Sequence, residues 1–115
     1  MTYAIGNIVF GVDLQDNTKL DEEELDDLAD QDIITRQYSG GDEAPVYFGV
    51  DMAMIDECTT YGGDKLINML TVTDAQRAEY AAMLAAFVAN TSISQEIRDF
   101  IANTEPSVFL TWGTS

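Results

Sequence analysis

Carboxylates are the residues of this sequence whose type and spacing could support chemistry. Ten of the twenty residues from 13 to 32 are Asp or Glu, set against the single Lys19. Paired carboxylates can act as general acid and base when one has a raised pKa and the other stays ionised, about 5 to 10 Å apart in a cleft. Asp51, Asp56 and Glu57 are the acids embedded among apolar residues, but no Arg-rich, aromatic or Gly-rich pocket accompanies them. We therefore favour solvated acids at the end of a strand and expect a protein that is not an enzyme.

The sequence offers little for metal binding or nucleophilic catalysis. It contains no His and one Cys, which excludes Ser-His and Cys-His dyads, an internal disulfide and a Cys/His zinc set. The acids beside Cys58 oppose formation of its thiolate, so a small buried hydrophobe is the favoured role for this side chain. The segment 13–17, DLQDN, is the nearest approach to a calcium loop but lacks the required glycine. We predict no metal site and, without a glycine-rich phosphate loop, no cofactor.

The negative charge is concentrated in one part of the chain. The stretch 13–64 holds 16 acids against Lys19 and Arg36, a net charge of -14, whereas the rest carries -2 of the total of -16. A body of this kind is repelled by nucleic-acid phosphates and anionic lipid headgroups, and it attracts basic surfaces from a distance. We therefore expect no direct contact with nucleic acid or membranes, and a basic protein surface as the partner.

The densest acidic segment, 21–32, contains eight carboxylates. As a helix it would span roughly 18 Å and present about one charge per 2.2 Å, against about one per 1.7 Å in duplex DNA. Its seven like-charged pairs three or four residues apart would together destabilise a helix by roughly 1.5 to 3.5 kcal/mol before screening by salt. Because folding alone does not favour such a cluster, we predict a partner-binding surface. Its predicted residues are Asp21, Glu22, Glu23, Glu24, Asp26, Asp27, Asp30, Asp32, Asp42, Glu43, Asp56 and Glu57, with Asp51 and Asp64 nearby.

Hydrophobic periodicity, capping residues and turn residues predict the elements. Tyr80, Met83, Leu84, Phe87 and Val88 follow the spacing of an inward helical face, and Trp112 and the five Met residues are expected to fill the core. In the N-terminal half we expect a central strand at 3–12, a helix at 21–30 capped by Asp21 and Glu24, and a hairpin of strands at 33–38 and 46–52 with an acidic tip. A short helix carrying Leu66, Ile67 and Leu70 and a helix capped by Thr73 and Gln76 should follow. The last elements are a helix capped by Ser92 or Ser94, with Ile93, Ile97, Phe100 and Ile101 inward, and a strand at 108–112.

These elements predict a single acidic α+β domain over residues 1–115. Its small mixed or antiparallel sheet of about four strands, in the order β-α-β-β-α-α-α-β, packs against helices, and its two terminal strands close the sheet or nearly do so. A chain of 115 residues with 46% hydrophobic residues can build one core. Neither an apolar stretch of about 20 residues nor a secretory signal pattern is present, so we expect a cytoplasmic protein.

Charge is the feature on which the functional hypothesis depends. We expect a non-enzymatic inhibitor that mimics the charge of nucleic acid and occupies a basic, nucleic-acid-binding surface. In size and charge the chain resembles the small acidic proteins with which phages inhibit host restriction or CRISPR machinery, which would place it in the host cytoplasm. One alternative is a structural or assembly protein that forms homo-oligomers and whose acids serve solubility. Another is general adaptation of the surface to high salt, which the nearly neutral C-terminal half does not favour.

Overall fold

The fold is an antiparallel sheet with helices packed on one face. A computed structural model describes residues 4–14, 20–36, 46–56 and 59–114. The elements are β1 (Ala4–Asp13), α1 (Glu22–Asp30), β2 (Thr35–Arg36), β3 (Val46–Asp56), α2 (Gly63–Leu70), α3 (Asp74–Ala89), α4 (Gln95–Asn103) and β4 (Ser107–Thr114). The predicted α+β class and the predicted order of elements are confirmed.

The sheet has the strand order β2-β3-β1-β4, and every neighbouring pair is antiparallel. The first strand is therefore internal, as its two apolar sides predicted, and it pairs with the last strand from Ala4↔Thr114 to Gly11↔Ser107. Between Ile8 and Val9 the register of β1 against β3 shifts by one residue, because Met52 is an extra residue on β3. This β-bulge interrupts the alternation predicted for β3, which continues to Asp56.

One face of the sheet and the inward sides of α1, α3 and α4 form the core. Phe48 lies at its centre, with ring centroids 5.7 Å from Tyr80 and 4.9 Å from Phe87. Tyr80 also meets Phe10 edge to face, at 5.3 Å. The buried members of this core are Phe10, Val12, Leu14, Leu20, Leu25, Leu28, Ile34, Phe48, Val50, Tyr80, Phe87, Ile93, Ile97 and Ile101.

Two predictions about the core are wrong. Val88 is 40% exposed, because the inward side of α3 is the narrower row of Tyr80, Met83, Leu84 and Phe87. Met54 is 68% exposed, since it pairs with Asn7 on the sheet face that points away from the helices. The side chain of Trp112 lies outside the described part of the molecule, as does Cys58.

Local capping chemistry begins α3 and α4 where the sequence predicted. The hydroxyl of Thr73 accepts a hydrogen bond from the N–H of Gln76 at 3.1 Å, and the side chain of Gln76 accepts one from the N–H of Thr73 at 2.9 Å. Ser94, rather than Ser92, is the N-cap of α4. Among the described residues, no helix combines the length and the apolar composition that crossing a membrane requires.

The C-terminal end of α1 determines where β2 begins. The N–H of Ile33 donates to the carbonyl of Leu28 and that of Asp32 to Ala29, with Asp32 at a φ of 60°. This is the pattern of a Schellman motif with Asp32 at the left-handed position. Because this motif holds Ile33 and Ile34 against α1, β2 begins at Thr35 and not at the predicted residue 33, and positions 37 and 38 of the predicted strand lie outside the described residues.

We expect Asp32→Gly to raise the free energy of unfolding by about 1 kcal/mol. Glycine adopts a positive φ without the steric conflict of a Cβ, and the change also removes a negative charge at the negative end of the helix dipole. The greater freedom of glycine in the unfolded chain offsets part of this gain. Urea unfolding followed by circular dichroism measures the difference. Asp32→Ala is the control: it removes the same charge but keeps a Cβ, and it should be less stable than Asp32→Gly.

Candidate functional site

The acidic helix α1 presents its carboxylates on the side opposite the core. Leu25 and Leu28 are buried, whereas Glu23, Asp27 and Asp30 are spaced four and three residues apart on the solvent side and are exposed. Residues at this spacing lie one above another along a helix. The local sequence therefore forms an outward row of carboxylates, flanked by Glu22 and Asp26, which we call the α1 acidic face.

Two other acids of α1 have structural partners. The side chain of Asp21 caps the helix and accepts hydrogen bonds from the N–H groups of Glu23 and Glu24, at 2.9 and 3.4 Å. The carboxylate of Glu24 accepts a hydrogen bond from the N–H of Ser94 at 2.7 Å, across a sequence separation of 70 residues. Glu24 is therefore a clamp between α1 and the N-terminus of α4, where the helix dipole favours a negative charge. The sequence predicted it as a member of a local capping box.

Arg36 of β2 forms an ion pair with Asp26, with the two side chains 36% and 64% exposed. An exposed pair of this kind contributes little to stability, but it reduces the net charge on one side of α1. In the described residues, Glu22, Glu23, Asp27 and Asp30 form no ion pair. All four are exposed to solvent.

The structure does not gather all of the predicted site residues. Asp21 to Asp32 lie together around α1, whose end is tied to β2 beside Tyr47. Asp56 is at the other end of β3, nine residues from Tyr47 and therefore about 31 Å from it along the strand. There the carboxylate of Asp56 accepts hydrogen bonds from the hydroxyl of Thr59. Asp64 lies in the first turn of α2, beyond that end. Asp42, Glu43 and Glu57, and with them the predicted hairpin tip, lie outside the described residues.

Asp51, one of the acids considered for acid–base chemistry, points away from the helices. Asp51 pairs with Val9, whereas its neighbour Val50 pairs with Phe10 of the core, so Asp51 is on the sheet face away from the helices. There it accepts a hydrogen bond from the hydroxyl of Tyr47 at 2.7 Å. Over the described part of the chain, no group of three or more Asp, Glu, Cys or His side chains is arranged to hold a metal ion.

The contact between Tyr47 and Asp51 was not predicted from the sequence. The two residues are four apart on a strand and therefore point to the same face, with Gly49 between them, which is the only signal of their contact. The ring of Tyr47 also meets Phe109 of β4 edge to face at 6.1 Å. Burial, and then the hydrogen bond to Asp51, raise the pKa of Tyr47 well above its ordinary value. The phenol therefore stays protonated at neutral pH and acts as a structural donor.

A second exposed feature is apolar. Leu66, Ile67 and Leu70 of α2 are 36%, 64% and 50% exposed, and they share one side of the helix. None of the described residues of α2 is buried. The short helix that the sequence predicted is present, but its apolar side points to solvent.

The fold and its surfaces define a small acidic α+β protein with an outward carboxylate row on one helix. No protein-family model, curated protein or solved structure matches the chain.

Proposed function

We propose that this chain is a non-enzymatic binding protein whose α1 acidic face docks on a basic protein surface. The partner is a nucleic-acid-binding protein, and the chain inhibits it by occupying the surface that would contact phosphates. The observation that carries this proposal is the outward row of Glu23, Asp27 and Asp30, with Glu22 beside it, exposed and without ion pairs in the described structure. Carboxylates placed in this way can replace phosphate oxygens against Lys and Arg side chains.

The spacing of these carboxylates supports the comparison with nucleic acid. The nine residues of α1 span about 13.5 Å, so the four unpaired carboxylates occur about once per 3.4 Å, which is the charge spacing along one strand of DNA. Asp26 and Glu24 are excluded from this count because Arg36 and Ser94 already engage them. The match concerns charge density along the helix and implies no base-like contacts.

The placement of acids at the C-terminal end of α1 also supports a role beyond folding. Asp30 and Asp32 lie where the helix dipole disfavours negative charge, each by about 0.3 to 1 kcal/mol. Asp32 moreover occupies a left-handed position that glycine fills more easily. A protein selected for solubility alone could place these charges elsewhere on its surface at no such cost.

Cytoplasmic action follows from this proposal, because nucleic-acid-binding partners are met there. If the chain is encoded by a phage, the compartment is the host cytoplasm, and an anti-restriction or anti-CRISPR role is the form that inhibition would take. The small size and the charge of -16 suit such an inhibitor, since long-range attraction speeds the encounter with a basic surface.

The proposal is tested by neutralising the α1 acidic face. The variant Glu22→Gln, Glu23→Gln, Asp27→Asn, Asp30→Asn keeps the Asp21 cap, the Glu24 clamp and the Asp26 ion pair. Immobilised wild-type protein should capture a basic protein from bacterial lysate at low salt, release it at high salt and lose it to an added 20-base-pair DNA duplex. The variant should lose this capture without a fall in melting temperature, because removing like charges three and four residues apart does not destabilise the helix.

A matched control changes the net charge equally elsewhere. Glu79→Gln, Glu96→Gln, Asp99→Asn, Glu105→Gln alters four exposed acids of the C-terminal half and should retain capture. If both variants lose capture to the same extent, net charge rather than the α1 acidic face is responsible. If neither loses it, or if DNA does not compete, the proposal fails.

A structural or assembly role is the second candidate, and the exposed apolar side of α2 favours it. The side chains of Ile67 and Leu70 are at least half exposed. Solvent-exposed apolar side chains on one side of a helix are typical of contacts with another subunit. Under this role the acids keep the protein in solution. Neither four-acid variant would then disturb its associations.

A further inference from the structure

The two edges of the sheet differ in a way that bears on association. The β2 edge is two residues long in the described structure and carries the exposed, charged Arg36. The β4 edge is eight residues long, Ser107–Thr114, and contains no charged residue. Short length and charge are the means by which proteins protect an edge strand from pairing with another chain. The described residues of β2 include a charge, whereas β4 is long and uncharged.

The outer side of β4 has no strand partner among the described residues. Within the described residues, β4 forms backbone pairs with β1 alone, and its eight-residue register is continuous, without a bulge. Proline precedes the strand at position 106 but does not interrupt it. Leu110, near the middle of the strand, is 43% exposed. A regular, uncharged strand with an exposed leucine at its centre can accept a further strand along its whole length, about 26 Å.

The distribution of charge permits a second copy to approach this edge. The acidic stretch 13–64 that carries -14 includes α1, β2 and β3, and β2 lies at the opposite edge of the sheet. Three strand spacings, about 14 Å, separate the two edges, which exceeds the Debye length of about 8 Å at physiological salt. Two copies that meet through β4 therefore keep their β2 edges, and the acidic segments next to them in the chain, farther apart than this screening length.

We propose that two copies of the chain pair through β4 in antiparallel orientation, forming one eight-stranded sheet around a two-fold axis. Pairing centred on Leu110 opposes Ser107 to Gly113 and places the two exposed leucines side by side at the axis, on the same face of the sheet. Antiparallel self-pairing in this register opposes apolar to apolar at the centre, and closed two-fold contacts of this type are self-complementary. It also places Glu105 of each copy beyond Thr114 of the other, so that the two Glu105 side chains stay apart. The interface is independent of the proposed inhibitory function.

Sedimentation velocity on the full chain, over a range of concentrations at physiological salt, tests the proposal. The fraction of wild-type protein that sediments as a dimer should rise with protein concentration. Leu110→Lys and Leu110→Glu should each weaken the dimer at least about tenfold, because like charges then face each other across adjacent strands. An equimolar mixture of the two variants should restore dimers, which a merely misfolded variant would not do. Ile67→Lys, on the exposed side of α2, is the control and should dimerise as wild type does.

Hydrogen exchange on the wild-type protein gives a second measurement that needs no variant. Amides of β4 should exchange more slowly at concentrations at which the dimer forms, whereas those of α1 and α2 should not change. A wild-type chain that stays monomeric, Leu110 variants that dimerise as wild type does, or dimers that are lost with Ile67→Lys would each overturn the proposal. Capture of a basic protein by the α1 acidic face can succeed or fail without changing these results.

Discussion

Gly49→Ala is expected to prevent stable folding, with a loss of more than about 3 kcal/mol in the free energy of unfolding. Gly49 and Gly11 face each other in the pairing of β3 with β1. A Cβ on Gly49 would lie 2.8 Å from the Cα of Gly11, and one on Gly11 would lie 2.6 Å from the Cα of Gly49 and closer still to the carbonyl oxygen of Phe48. The obstructing atoms are backbone, so no side chain can move aside and the two strands themselves must separate.

Separation of these strands would disturb the centre of the core. Phe10 and Phe48, the residues that precede Gly11 and Gly49, both carry rings that contact Tyr80. Against a total stability of about 5 to 15 kcal/mol for a domain of this kind, displacement of both rings is a large fraction. Thermal unfolding followed by near-UV circular dichroism should show a melting temperature lower by tens of degrees, or no cooperative transition. Gly11→Ala should behave in the same way.

A matched glycine elsewhere separates this effect from a general intolerance of alanine. A Cβ on Gly63, the first residue of α2, would meet nothing within 4 Å. Gly63→Ala should therefore leave stability unchanged or raise it by about 0.5 to 1 kcal/mol, because alanine favours the helix. If Gly49→Ala melts within a few degrees of Gly63→Ala, the strands do not approach as closely as described.

Arg98→Met is expected to lower the free energy of unfolding by about 2 to 3 kcal/mol. The guanidinium of Arg98 donates from Nη1 to the carbonyl of Val88 at 3.1 Å and from Nε to the carbonyl of Ile93 at 3.0 Å. A third bond, from Nη2, reaches the side-chain oxygen of Gln95 at 3.1 Å. One side chain therefore satisfies carbonyls at the end of α3 and in the turn before α4. Methionine keeps much of the apolar stem and removes all three donors.

Arg98→Lys tests the geometry of these bonds. Lysine retains the charge near the C-terminal end of α3, where the helix dipole favours a cation, but it lacks the planar fork that serves several acceptors at once. We expect its stability to lie between those of wild type and Arg98→Met, measured by urea unfolding. Equal stability of the Lys variant and wild type would show that charge alone matters, and an unchanged Met variant would contradict the role of Arg98.

Several features of the fold could be predicted because their causes are local. The capping pair of Thr73 and Gln76 and the Ser94 cap are interactions between residues close in sequence, and each starts its helix as expected. Pro106 likewise lies in the turn between α4 and β4, and β4 begins at Ser107. The internal position of β1 followed from apolar residues on both of its sides, since both faces of an internal strand can be covered.

The errors have a common cause, which is that they depend on distant residues. The position of Met54 depends on a bulge in the pairing with β1, and that of Val88 on how much of α3 the sheet can cover. Glu24 satisfied the local pattern for a capping box, but a residue 70 positions away supplies its partner. Asp56 and α1 belong to one acidic stretch in sequence, and a long extended strand separates them in space.

The sequence by itself determined the class of the fold, the order of its elements and the acidic character of α1, because helix caps, periodicity and charge are written in residues that are near neighbours. Only the tertiary structure decided which carboxylates face outward without an ion pair among the described residues, which glycines two strands require, and which described strands lie at the edges of the sheet. These depend on strand register and on the order of strands across the sheet, and backbone pairing between segments far apart in the chain sets both.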